Sequence, residues 1–472
     1  MTGTGAAPAD TPATSAAADL PAPVAAVLAE LEGVPAITEP ALVKQKSRDF
    51  YWYSPILKRE LRGKYGDAVV VPRDEAEVLA VARACVRHRV PLTVRGAGTG
   101  NYGQAMPLEG GVILETTALD RIETLSDGVL TVGAGKRLID LEAETIPQGW
   151  ELRFHPSTRR TATIGGFVAG GSTGVGAINY GLLRDRGSVL GLRVVTLEDD
   201  PRVLVLEGDD VLKATHAYGC NGIITQVTLP LAPAWPWVDV MAGFDDFEAA
   251  MDFCDALASA DPIVKKLITP IDAPVAQDFF RPLKPFLSDG EAVVLMMIAA
   301  GSMAPLRTLL AERGGRLAYE ARPGEGRHEG EEIPPLYEFT WNHTTLQALK
   351  LDKSISYLQT LFPPEVYRDK VRHMRETFGD EVPMHLEYVR LGGRIACFGL
   401  QLVRYTDDDR LNAIIAYHED HGCPVFNPHT HILEDGGMKE IDADQLAFKR
   451  LADPYGLANP GKMRAWWETG AG

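Results

Sequence analysis

Four glycines in eight residues, at positions 96, 98, 100 and 103, constrain this chain more than any other stretch. They lie in RGAGTGNYGQAMPLEGG, residues 95–111, between the apolar runs PLTV (91–94) and GVILE (111–115). Glycine has no Cβ, so such a segment turns sharply and lets a ligand approach the backbone. The pattern predicts strand, loop, strand, with consecutive N–H groups forming a concavity suited to phosphate. Residues 98–103 also spell G-x-G-x-x-G. That fingerprint needs a helix directly after it, because the helix N-terminus holds the pyrophosphate. Pro107 and the pair Gly110-Gly111 deny one. A dinucleotide here would be held by loop amides alone; a plain glycine-rich turn is the alternative reading.

The flanks give the loop a frame. DAVVVP (67–72) reads as a buried strand, and Val78, Leu79, Ala82, Cys85 and Val86 recur at helical spacing. Acidic residues open that helix and arginines close it, in line with its dipole. A second glycine-rich stretch covers residues 155–185, where Gly165, Gly166, Gly170, Gly171, Gly174 and Gly176 alternate with hydroxyl side chains. Ile164, Phe167, Val168, Val175 and Ile178 stud the same stretch, which favours an ordered wall against a large ligand over a free linker. Two paired strands follow with a turn near 199–201, then a further strand and a proline-rich linker. A boundary is expected near residue 237. Beyond it, helix-like and strand-like runs alternate to about residue 424, as in an α+β layer. The aromatic run 50–53 reads as packing, with a cofactor-covering wall as the alternative.

The chain has 472 residues and a net charge of −17. Such acidity argues against a nucleic-acid partner, and an anionic substrate would need a local cationic patch. Five scattered cysteines with no C-x-x-C suit a reducing cytoplasm. No apolar run is long enough for a membrane span, no secretory signal is evident, and residues 1–24 read as an unstructured tail.

Candidate chemistry outside the loops falls in two places. Residues 337–350 offer Trp341, Asn342, His343, Thr344 and Lys350, and Tyr388, Arg390 and Arg394 lie near a strand pair. CPVFNPHTHILEDGG (423–437) carries His429 and His431. Read as a strand, it puts both on one face, where either is a candidate base for a substrate hydroxyl. Arg390 is a candidate clamp for a carboxylate. A metal on the histidines and Glu434 is the weaker alternative.

Three ordered blocks, RGAGTGNYG, PSTRRTATIGGFVAGG…YGLLRD…VLGLRVVT and GCNGIITQVTLPL, with a closing DPYGLANPGK, resemble the vanillyl-alcohol oxidase / p-cresol methylhydroxylase superfamily. Within it they resemble the FAD-linked 2-hydroxy-acid dehydrogenases and the glycolate oxidase D-subunit. The resemblance implies an α+β fold, with a PCMH-type two-subdomain FAD-binding domain over 41–236 and an α+β substrate cap over 237–425. Residues 426–472 would return to the first domain, and 1–40 would be the tail and a short helix. It implies that Arg95, Gly96, Ala97, Gly98, Thr99, Gly100 and Asn101 cradle the FAD pyrophosphate. Ser157, Thr163, Ile164, Gly165, Gly166 and Gly170 would line the rest, and Ile223 and Ile224 would add main-chain contacts. Many relatives carry a flavin-linking histidine where Thr99 stands, and the second block has no cysteine, so non-covalent FAD is expected. The GHxGDGNxH motif of metal-dependent relatives is absent, so no metal is expected. The late histidine segment also resembles the one that approaches the flavin in sugar and alditol oxidases, and Asn459 and Lys462 would touch cofactor or fasten the terminus. The implied activity is oxidation of a CH–OH group by hydride transfer to flavin N5, on a 2-hydroxy acid. A neutral alcohol, sugar or specialised metabolite is the second possibility, and FAD binding without turnover a third. Oxygen, a quinone and a redox protein are all open as electron acceptor.

Overall fold

A computed structural model describes residues 20–470. The part of the expected tail at 1–19 lies outside them, and residues 22–24 of it already belong to a helix, Ala22–Glu30, entered through Pro21.

The first sheet runs in the order Ala36–Ile37, Ala68–Val70, Val112–Glu115, Leu92–Arg95. Its last three strands are parallel, with Ala68 and Leu92 both in register with Val112. Parallel neighbours need a crossover, and the helix Glu75–Arg87 provides it. The Asp74 side chain accepts the Glu77 amide at its start, and Val78, Ala82, Cys85 and Val86 bury its inner stripe. Leu92–Arg95 is an edge strand within this sheet, and the end of the chain covers it. The Leu92 amide donates to the Leu457 carbonyl, and the Asn459 amide donates to that of Leu92, each at 2.8 Å.

The second sheet is antiparallel: Ile122–Ser126, Val129–Gly133, Ile223–Pro233, Gly191–Val195, Val203–Glu207. The strand Trp150–Leu152 pairs with the far end of Ile223–Pro233. The second glycine-rich stretch, read as a loop wall, contains a helix, Ile164–Gly170. Each glycine inside a helix costs about 1 kcal/mol against alanine. Ile164, Phe167 and Val168, at i, i+3 and i+4, offset that by burial in the core of this sheet.

The third layer joins Lys265–Ile271, Ala292–Ala299, Trp237–Phe244 and Arg316–Ala321 in that order. A bridge from Ile271 to His385 extends it to Leu386–Leu391, Arg394–Gly399 and Thr360–Phe362. The alternation of its strands sorts two faces. Val240, Ala242 and Phe244 pack under the helices Phe247–Ser259, Met303–Glu312 and Tyr367–Phe378. Leu267, Met297, Val389 and Phe398 turn the other way, against Val175, Ala177 and Leu182 of the glycine-rich stretch. That apolar seam joins the layer to the first two sheets.

The segment around the two late histidines is not a strand. Val425 bridges Thr360, and the chain then turns and makes one helical turn, Leu433–Gly436. The shared-face argument for His429 and His431 therefore fails, because Pro428 lacks the N–H that a ladder needs. Among the described residues no helix is long and apolar enough to cross a membrane.

Candidate active site

A cavity of ≈ 510 Å³ opens where the three layers meet. All seven residues of the first loop singled out from sequence, Arg95 to Asn101, line it, as do Ser157, Thr163, Gly165, Gly166, Gly170 and Ile224. The two glycine-rich stretches therefore face one space, and they also touch. A Cβ on Gly96 would collide with Thr163 Oγ1.

Arg95 shapes the first loop from within. Its buried guanidinium donates to the carbonyls of Arg48 at 2.8 Å and Ala97 at 2.9 Å, and also to that of Lys46. It lies 3.8 Å from Glu115. With those partners it braces the loop and is not the loop's free positive charge. At the far end Asn101 Nδ2 donates to the Tyr357 hydroxyl at 2.8 Å.

Ile164 and Ile223 are corrected. Ile164 lies in the core of the second sheet and Ile223 in that of the first, and neither lines the cavity. The Ile164 amide donates to Lys136 O at 2.9 Å, and Ile223 is in register with Val195 in the ladder. Each is on the buried side of its element, so only Ile224 reaches the wall.

The three residues proposed for catalysis are also placed elsewhere. His429 is locked in the core: the Ser54 hydroxyl donates to its Nδ1 at 2.8 Å, and its Nε2–H donates to the Tyr357 carbonyl at 3.0 Å. Burial pushes its pKa down to about 4. His431 lies behind the first loop, its Cβ 3.5 Å from where a Cβ on Gly103 would stand, and burial lowers it to about 4 as well. Arg390 donates to Ile178 O at 2.9 Å and Gly393 O at 3.3 Å. None of the three lines the cavity. Asn459 and Lys462 fasten the terminus: Asn459 Nδ2 donates to Gln104 O at 2.8 Å, and Lys462 Nζ to Met106 O at 2.8 Å.

The third layer supplies a different set. Glu338, Trp341, Asn342 and His343 line the cavity, with Gln359, Thr360, Phe398, Leu400 and Phe426. His343 Nδ1 stands 2.8 Å from Glu338 Oε2, at the start of the helix Asn342–Leu351. Trp341, just before it, is held at φ 50 with its amide donating to Glu387 Oε1 at 2.6 Å. A left-handed backbone at a bulky residue is strained, and such strain gathers at functional sites. Gln359 Nε2 donates to Asn342 Oδ1 at 2.8 Å, and the Tyr102 hydroxyl donates to Gln359 Oε1, which ties this wall to the first loop. Phe50 and Tyr53 also reach the wall, so half of the aromatic run read as packing faces the site. His216 and Tyr218, at φ 53 and 50, are wall residues that the sequence reading passed over. Among the described residues, no group of three histidine, cysteine or acidic side chains could hold a metal.

Residues 66–204 match the family model described as a FAD binding domain. That span holds both glycine-rich stretches. That span is thus similar to a FAD-binding domain. Curated relatives agree. The chain is 31% identical over 241 residues to the glycolate oxidase subunit GlcD of Escherichia coli (strain K12), covering 48% of this chain and 47% of that one. It is 32% identical over 196 residues to the D-lactate dehydrogenase of Archaeoglobus fulgidus, covering 39% and 43%. It thus spans about half the length of the curated relatives it matches. A solved structure of alkyldihydroxyacetonephosphate synthase superposes with a TM-score of 0.67 over 92% of this chain and 85% of that one, at 14% identity, which shows the shared fold.

The residues of the FAD-binding domain fit the cofactor. Gly170 lines the cavity, yet nothing lies within 4 Å of where its Cβ would be. A side chain there would extend into open space beside the cavity, which the glycine leaves to an occupant. Thr360 Oγ1, Trp341 Nε1 and His216 Nδ1 belong to wall residues and are buried without a partner. Buried polar atoms are almost always satisfied, and a polar ligand would satisfy these. Loop amides from Gly96 to Asn101 would hold the pyrophosphate, with Ser157 and Gly170 along the rest.

Proposed function

We propose that this chain is a FAD-dependent oxidoreductase acting on the CH–OH group of a small molecule, a 2-hydroxy acid foremost. One observation carries the reading: a single cavity runs from the glycine wall of the FAD-binding domain to an aromatic wall on the third layer, which then serves as a substrate cap. The relatives named for glycolate and D-lactate support the substrate class. Bound FAD supplies the hydride acceptor.

The rest falls to the chain. Trp341, Phe398, Leu400 and Phe426 exclude water from the cap half, which strengthens every polar contact inside it. Asn342 and Gln359 offer amide groups to orient a hydroxylated substrate. His343, which reaches the cavity with the Glu338 carboxylate 2.8 Å from its Nδ1, takes the hydroxyl proton on Nε2. His343 replaces His429 and His431 in that role because it alone of the three reaches the cavity. Thr99 offers no flavin-linking atom in the first loop, and none of the five buried free cysteines lines the cavity, which supports FAD held without a covalent bond. Buried free thiols also suit a reducing cytoplasm.

Anaerobic mixing with glycolate, D-lactate and glycerol tests the reading. The flavin band should bleach with a hydroxy acid. His343→Ala should slow bleaching by about 10²–10⁴-fold with FAD still bound. A variant that bleaches at the wild-type rate removes His343 from the mechanism. A yellow protein that no hydroxylated compound bleaches would refute the redox reading.

A further inference from the structure

Charge is distributed unevenly over this molecule. The chain carries 64 acidic residues among 472, yet among the described residues Glu338 is the sole carboxylate on the cavity wall, and it lies beside His343. Three arginines share that wall. Arg95 is occupied by the carbonyls of Arg48 and Ala97, and Arg160 is exposed. Arg184 is half-buried, and among the described residues it makes no ion pair within 4.0 Å and no hydrogen bond; its guanidinium lies over the Phe426 ring at 5.4 Å. A half-buried guanidinium without a partner keeps its donors free for an anion.

Its position says which anion. Phe426 packs edge-on against Phe398 with centroids 5.6 Å apart, and Phe398 against Trp341 at 6.2 Å. That aromatic rail runs from Arg184 to Trp341, on the cap wall of the cavity. Arg184 is therefore at the seam with the cap, and Phe426 and its neighbours belong to the cap half. The groups around it leave it free. Asp185 accepts the Leu182 amide at 2.8 Å, and Lys439 donates to Leu212 O at 2.9 Å. Buried His216, pushed down to about 3 by burial and then by Arg184 and Lys439, stays neutral with Nδ1 unpartnered. A guanidinium fork beside a neutral imidazole fits a carboxylate, which takes two parallel hydrogen bonds from such a fork.

We propose that Arg184 binds the carboxylate of an anionic substrate where the FAD-binding domain meets the cap. This rests on the redox reading above and names its substrate-recognition residue in place of Arg390. The competing source of negative charge is a phosphate of FAD itself.

Oxalate, a dicarboxylate with no CH–OH to oxidise, is the probe. Titrated into the holoprotein it should perturb the visible flavin spectrum. Arg184→Met should weaken its binding by on the order of 10–100-fold, the range of a lost charged hydrogen bond, with Arg184→Lys intermediate. FAD affinity of the apoprotein, followed by quenching of FAD fluorescence, should stay within about twofold, and thermal melts confirm that both variants fold. Unchanged oxalate binding in Arg184→Met would overturn the proposal. So would lost FAD affinity with oxalate binding intact, which would assign Arg184 to the cofactor phosphate. A wild type that oxidises neutral alcohols but ignores oxalate would also overturn it, while leaving the redox reading standing.

Discussion

At Gly170 stability and cofactor binding come apart. Its Cβ would meet no atom of the chain, and it sits in a helix, where alanine or leucine outdoes glycine. Gly170→Leu should therefore leave the apoprotein as stable as the wild type or up to about 1 kcal/mol more so, while FAD affinity falls at least about tenfold because the side chain enters the cofactor space. Thermal melts and FAD fluorescence quenching read the two effects separately. Equal FAD affinity in the variant would place the cofactor elsewhere. The first loop was legible in the sequence because each of its residues carries the signal locally: glycine for the close approach, threonine and asparagine for polarity. His343 was visible only as one of several polar residues in 337–350. The base role proposed for it rests on its place on the cavity wall, after the strained turn at Trp341, and sequence shows neither. Arg184 was similarly hidden inside a motif. What marks it is the absence of a partner, which only the fold reveals.

Elements account for two of the corrections. The segment bearing His429 reads as a strand from its spacing, but its histidine serves a neighbouring helix. Ser54 caps Pro55–Glu60 by accepting the Leu57 amide, and its hydroxyl proton goes to His429 Nδ1. The His429 ring thus links that cap to the strand Ile355–Tyr357. Burial lowers its pKa to about 4, whereas an unfolded histidine titrates near ~6.5. The folded state needs the neutral ring, so the unfolded state binds more protons between those values. The contribution is full above ~6.5, declines as pH falls towards about 4, and amounts to roughly 3 kcal/mol. Urea unfolding at pH 7 and pH 4.5 should show a shallower acid loss in His429→Gln than in the wild type. Identical slopes would mean that the ring is not held neutral. Ile164–Gly170 went unread as a helix for a related reason. Glycine content argued for a loop, and the apolar stripe prevailed only because a sheet lies beneath it.

On the scale of the whole molecule, the last thirty residues govern a loop 350 residues earlier. Asp453 accepts the amides of Leu457 and Ala458 at 2.9 and 2.8 Å and so bends the chain into the edge of the first sheet. Asn459 then reaches Gln104 O and Tyr218 O, and Lys462 reaches Met106 O and Gly103 O. Lys462→Met leaves two buried carbonyls without a donor. It should cost on the order of 2–4 kcal/mol and weaken FAD binding together with stability, because the carbonyls belong to the loop that borders the cofactor. A variant that loses stability yet binds FAD as tightly as the wild type would show that the loop is set without this anchor. The closing motif was legible as a return, but not the identity of its targets, since pairings across that separation leave no mark on local sequence.

The anchor also sets an order of events. During synthesis, residues 95–106 leave the ribosome long before their two fasteners do, and the edge of the first sheet stays uncovered until the Leu457 carbonyl arrives. A nascent chain halted anywhere before residue 462 would hold an unclasped receptacle for its flavin. A product truncated there should bind FAD more weakly than the full chain, as fluorescence quenching would show.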